Sequence, residues 1–82
     1  MTMINTDVQV SAYYFSGEAM RLFPRAIEYQ GRAVTFREGL RYVIRRGQSF
    51  VQLYDMEAEE GHTYRLQRTE GQWTLVGTKG VY

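Results

Sequence analysis

Seven glycines punctuate the chain from residue 31 onward: Gly31, Gly39, Gly47, Gly61, Gly71, Gly77 and Gly80. Between them lie short runs rich in Val, Ile, Leu, Phe, Tyr, Trp and Thr. Such side chains fit a pleated, half-buried surface, and glycine supplies the positive φ that tight hairpin turns demand. This pattern constrains the fold more than any other feature of the sequence. It predicts short strands joined by tight turns, in an antiparallel sheet twisted enough to curl into a small barrel or roll.

Alternation within the runs places the strands. The first spans Val8 to Phe15 and ends at the turn Ser16-Gly17-Glu18. Residues 19–23 read as a helical turn or an irregular loop closed by Pro24. A second strand spans Arg25 to Tyr29, and Gln30-Gly31 turns it into a run from Ala33 to Phe36. Strands follow at Ser49 to Met56, Thr63 to Arg68 and Gln72 to Val76, with a frayed tail from Gly77. Residues 36–46 admit two readings. Thr35 and Glu38 have capping-box spacing, and Phe36, Leu40, Val43 and Ile44 share one helical face, which gives an α+β alternative with one helix near 36–46. Against it, Gly39 in the first helical turn costs about 1 kcal/mol, and Tyr42-Val43-Ile44 are weak helix formers. A hairpin turning at Glu38-Gly39 is preferred, giving six or seven strands. The expected core is Val10, Tyr14, Ile27, Val34, Phe36, Leu40, Ile44, Val51, Leu53, Tyr64, Leu66, Trp73 and Leu75.

The 82 residues make a single domain over 1–82. A chain this short buries only about 60% of the surface its unfolded form exposes. It has no cysteine and one histidine, His62. Neither a disulfide nor a Cys-based or multi-histidine metal site within the chain is open to it, and no metal or cofactor is expected. The first residues show no basic and apolar leader, and no apolar run reaches the roughly 18–20 residues that span a bilayer. The expectation is a soluble cytoplasmic protein with no membrane partner.

Motifs for catalysis are absent. No serine stands in a Gly-x-Ser-x-Gly elbow, and no glycine run forms a phosphate-binding loop. His62 follows Gly61 in a polar loop with no nucleophile beside it. Asp55, Glu57 and Glu59 alternate, but without the spacing of a calcium loop. The chain reads as a non-enzyme.

Charge says more than chemistry. The net charge is +1, yet residues 21–48 hold seven arginines against two glutamates, and residues 49–64 hold four carboxylates and no Lys or Arg. Nine of the ten basic residues are arginine, whose planar fork favours carboxylate, phosphate and aromatic-face contacts. Opposite patches on one small domain recognise charged partners or pair with each other across a self-association interface. The candidate binding residues are Arg41, Tyr42, Arg45 and Arg46, with Tyr13 on the aromatic first strand. They point to protein–protein contact, with a homodimer as one form of it, because tyrosine and arginine are enriched at interfaces. The alternative is single-stranded nucleic acid held on an Arg/Tyr face.

Overall fold

The computed structural model describes residues 1–80 and is a closed, all-antiparallel barrel of six strands in chain order. The strands are β1 (Thr2–Ser16), β2 (Arg21–Tyr29), β3 (Arg32–Arg46), β4 (Ser49–Ala58), β5 (Thr63–Thr69) and β6 (Gln72–Lys79). No helix occurs among the described residues. Each strand pairs with the next, and β1 returns to pair with β6. Two turns show why the glycines stand where they do. At Gln30-Gly31 and Glu70-Gly71 both residues have positive φ, from 53° to 81°. That is the turn geometry whose twist matches a right-twisted hairpin, and glycine enters it without a Cβ clash.

The core is a single cluster built from the inward positions of all six strands, among them Val8, Phe23, Ile27, Val34, Phe36, Tyr54, Met56, Tyr64, Leu66, Trp73 and Leu75. Its upper layer is a run of rings. Tyr14 stacks on Phe23 at 5.4 Å between centroids, Phe23 meets Tyr54 edge-on at 5.8 Å, and Tyr54 lies 4.9 Å from Trp73. Edge-to-face and offset pairs of this kind add about 0.5–1.5 kcal/mol each beyond the area they bury.

β1 and β3, each 15 residues long, carry the closure because each serves two neighbours. β1 pairs with β6 up to Val8 and with β2 from Gln9. β3 pairs with β2 only over Arg32–Thr35, then with β4 from Phe36 to Arg46. Register shifts mark both handovers, between Val10 and Tyr13 in β1 and between Phe36 and Glu38 in β3. A bulge bends a strand sharply, and so lets it leave one neighbour for another. The β2–β3 seam is therefore zipped at one end and open at the other. Arg25 sits where it opens: its Nη1 donates to the Phe36 carbonyl at 3.2 Å, and its guanidinium lies 4.0 Å over the Tyr14 ring. Pro24 lies in the half of β2 that pairs with β1 alone, opposite Tyr13, on a stretch with no partner on its β3 side.

Several expectations need correction. Glu38-Gly39 is not a turn and residues 36–46 are not a helix: β3 runs straight through. Gly39 is small for another reason. A Cβ there would overlap the buried Met56 side chain and come within 2.9 Å of the Asp55 carbonyl oxygen. β1 begins at Thr2 rather than Val8, and β2 passes through Pro24. β6 extends to Lys79, so residues 77–79 are not frayed, and the last two residues of the expected tail lie outside the described ones. Of the expected core, Leu40 is 72% exposed, while Val10, Tyr14 and Ile44 are only half-buried. Val51 and Leu53 are buried as expected, but on the opposite face of β4 from Tyr54 and Met56.

Candidate functional site

The open seam leaves one side of β3 bare. From Glu38 to Arg46 its residues pair with β4 alone, and no other backbone hydrogen bond reaches this stretch among the described residues. The turns β1–β2, β3–β4 and β5–β6 all lie at this end of the barrel. Exposed apolar side chains gather here too: Phe15 and Met20 beside the first turn, Leu40 and Val43 on β3, and Phe50, 71% exposed, on β4. A groove of about 290 Å³ marks the split itself, with Phe23 and Arg21 on its β2 side and Gly39, Leu40 and Arg41 on its β3 side.

Register assigns the candidate residues to faces. Arg41 opposes Tyr54, Val43 opposes Gln52, and Arg45 opposes Phe50, so these six share the barrel-side face. Gln52 in turn opposes Arg68 on β5. Arg41 and Arg68 thus flank β4 on one face, and with Arg21, Leu22, Gln52 and Tyr54 they line a cavity of about 130 Å³ at the barrel mouth. Arg68 also lies 5.6 Å from the Trp73 ring. Arg45, further out, donates from Nε to the Gly47 carbonyl at 3.0 Å.

The other two candidates on β3 face the opposite way. Tyr42 opposes Leu53 and Arg46 opposes Ser49. The Tyr42 hydroxyl donates to Asp55 at 3.2 Å, and Arg65 grips the same carboxylate with two bonds, 2.8 and 2.9 Å long. Burial is the main cause that raises the Tyr42 pKa, followed by the Asp55 charge. The Asp55 hydrogen bond is the main cause that raises that of Arg65. This bidentate cluster is a fastening on the outer wall, and it ties up Tyr42. Tyr13 stands apart on β1, where its hydroxyl accepts from Trp73 Nε1 at 3.1 Å. The five candidates are therefore not one surface. Arg41 and Arg45 form one set with Arg68, Tyr42 and Arg46 a second, and Tyr13 is separate.

The acidic segment has partners or neighbours of its own. Asp55 is held by Arg65, and Glu57 forms an ion pair with Arg37. Glu38 opposes Glu57 across the β3–β4 ladder, so with Asp55 three carboxylates line a cavity of about 370 Å³ beside Leu40. At the far end of the barrel, Glu60 accepts from the Tyr64 hydroxyl at 2.7 Å, and His62 Nδ1 lies 3.6 Å from the same carboxylate. His62 is exposed, with no hydroxyl or thiol nucleophile bonded to it. No group of three or more His, Asp or Glu side chains among the described residues is placed to hold a metal ion. No helix there is long and apolar enough to cross a membrane.

Sequence reasoning missed Arg21 and the bare edge of β3. The one signal was Pro24: a proline inside an extended run marks a stretch lacking a partner on one side. Comparison with protein-family models, with curated proteins and with solved structures finds no match to this chain, so any functional reading rests on the geometry of the barrel mouth and its open edge.

Proposed function

We propose that this chain is a non-enzymatic binding module acting through protein–protein contact, and that the contact is with a second copy of itself, strand to strand along β3. The observation that carries this reading is the bare edge from Glu38 to Arg46, a row of unpaired backbone groups flanked by exposed Leu40 and Val43. Such an edge is a template for pairing with another chain.

Self-pairing is favoured because the edge complements itself. In a continuous antiparallel sheet with a twofold axis, opposed residues share a face, so the axis passes through a residue. An axis at Arg41 sets Arg41 against its own copy, and an axis at Val43 sets Arg41 against the partner's Arg45. An axis at Tyr42, the midpoint of the edge, avoids both clashes. It opposes Leu40 to the partner's Ile44 and Glu38 to the partner's Arg46, each twice. The acidic end, where Glu38 lies beside Glu57 and Asp55, then receives the basic end. Opposed pairs of this kind stabilise a sheet, while like charges directly opposite destabilise it.

Sedimentation equilibrium across the micromolar range tests the reading. The expected result is a monomer–dimer equilibrium that Leu40→Glu abolishes while the far-ultraviolet spectrum stays unchanged, since Leu40 contributes little to the core. A monomer at every concentration, or an L40E variant that dimerises equally well, would sink it.

A second reading, single-stranded nucleic acid, draws support from Arg41, Arg45 and Arg68 sharing a face. On β3 and β4 its supply of stacking rings is thin: Tyr54 is buried, Tyr42 is tied to Asp55, and Phe50 remains. A salt-dependent mobility shift of short single-stranded DNA, lost in R41A/R45A, would support it; no shift at low salt would remove it.

A further inference from the structure

The geometry points to an oxyanion site at the barrel mouth: Arg21, Arg41 and Arg68 bind the phosphate group of a small ligand. This site goes beyond the strand-pairing reading and holds equally for a monomer. Three arginines line one cavity of about 130 Å³, a volume suited to a single tetrahedral anion. Among the described residues, none of the three has a carboxylate within 4.0 Å, unlike Arg37 and Arg65. None of the three side chains donates a hydrogen bond to another described residue either, whereas those of Arg25, Arg45 and Arg65 all do. Three like charges gathered over a buried ring layer repel one another in a medium less screening than bulk water. No carboxylate in direct contact offsets that cost, and a bound anion does.

The charge count favours phosphate over carboxylate. A carboxylate neutralises one of the three charges and presents two oxygens; a phosphate near its second ionisation carries up to two charges and presents three. Arginine's fork matches either, but only phosphate has enough acceptors for three forks. Gln52 lines the same wall and has amide hydrogens to donate to a further oxygen. Two acids stand near by: Glu18 lines the neighbouring groove with Arg21 and Arg41, and Glu70 lines the next cavity with Arg68. Both are exposed and outside the cage, so they weaken the local field without filling it.

That next cavity, about 420 Å³, shares Gln52 and Arg68 with the arginine cage and is walled by Phe50. A planar group attached to the phosphate has a ring to stack on there, at an aromatic side chain that the core leaves 71% exposed.

Trp73, the chain's single tryptophan, lies against Arg68 and reports on the site by its fluorescence. Titration at low salt with inorganic phosphate, adenosine 5′-monophosphate and acetate separates the classes. The expected result is a saturable change with both phosphates and a weaker one with acetate. Affinity falls roughly tenfold in Arg41→Gln and in Arg21→Gln, each removing one charge-assisted contact. Arg21 is exposed at a strand end, so its variant keeps the fold even if R41Q does not. Arg32→Gln, at the opposite end of the barrel, leaves affinity unchanged. Tighter binding of the nucleotide, reduced in Phe50→Ala, identifies a nucleotide as the natural source; equal binding identifies free phosphate. No saturable change with either phosphate, equal affinity for acetate, or full binding in R21Q and R41Q would overturn the site.

Discussion

Reversing the charge at one end of β3 separates association from folding. In the proposed dimer, Glu38→Arg sets a guanidinium against the partner's Arg46, and the twofold axis repeats this at the other end. An opposed charge pair across a ladder is worth about 0.2–1 kcal/mol, and a like-charge pair costs a similar amount. Taking about 0.5 kcal/mol each, the variant loses two attractions and gains two repulsions, about 2 kcal/mol in all, or roughly a 30-fold weaker dimer. Within one copy the same change acts in the other direction. Glu38 opposes Glu57 across the β3–β4 ladder, so a cation there replaces a like-charge pair with an attractive one. The monomer is therefore expected to melt at the same temperature or slightly higher while its dimer weakens. The variant E38R/R46E restores the cross-strand pairing and brings the dissociation constant back to within about threefold of the parent. Sedimentation equilibrium gives the constants, and thermal melting at low concentration gives the fold. An E38R dimer as tight as the parent's, or a double variant no tighter than E38R, would refute the register.

Three further outcomes follow from the barrel itself. Gly39→Ala drives a Cβ into Met56, which is fully buried, and toward the Asp55 carbonyl; a loss of about 1–3 kcal/mol is expected in urea unfolding. Leu66→Ala, at 0% exposure in the centre of the core, is expected to cost about 2–5 kcal/mol by the same assay. Burial, and then the Glu60 bond, push the Tyr64 pKa up to about 12 from 10.0. Its neutral form is the one the fold favours, so the stabilisation is complete below pH 10. It is lost as pH rises toward 12, because the unfolded chain releases its proton first. Tyr64→Phe should flatten that part of the stability–pH profile, and an unchanged slope would remove the assignment.

Much of the barrel is legible in the sequence because its signals are local. Gly31 and Gly71 stand in turns that need positive φ, and the alternation of Tyr64/Leu66 and Trp73/Leu75 predicts the β5–β6 hairpin and its inward face. The middle is harder because a bulged strand and a hairpin look alike in composition. Gly39 resembles a turn glycine, yet it is small because Met56 packs where its Cβ would be, a contact made across the ladder. Leu40 alternates correctly with Arg41, but hydrophobicity alone assigns it to the core. Only the register with β4 turns that face outward. The arginine cage needs residues from β2, β3, β4 and β5 at once, and periodicity within one strand cannot bring Arg21 to Arg68. A spacing of four is enough to put Arg41 and Arg45 on one face of a strand. Tyr42 and Arg46 share that spacing on the opposite face.

In the proposed dimer β3 is bare in one copy and covered in two. Amide hydrogen exchange of residues 38–46, followed residue by residue as a function of protein concentration, tests it most directly. Fast exchange is expected at high dilution for the alternate amides of this stretch that point away from β4. Those same amides should gain protection as concentration rises, with the β5–β6 ladder unchanged. Protection of the whole stretch at high dilution would contradict the open edge, and exchange that ignores concentration would contradict its pairing with a second copy.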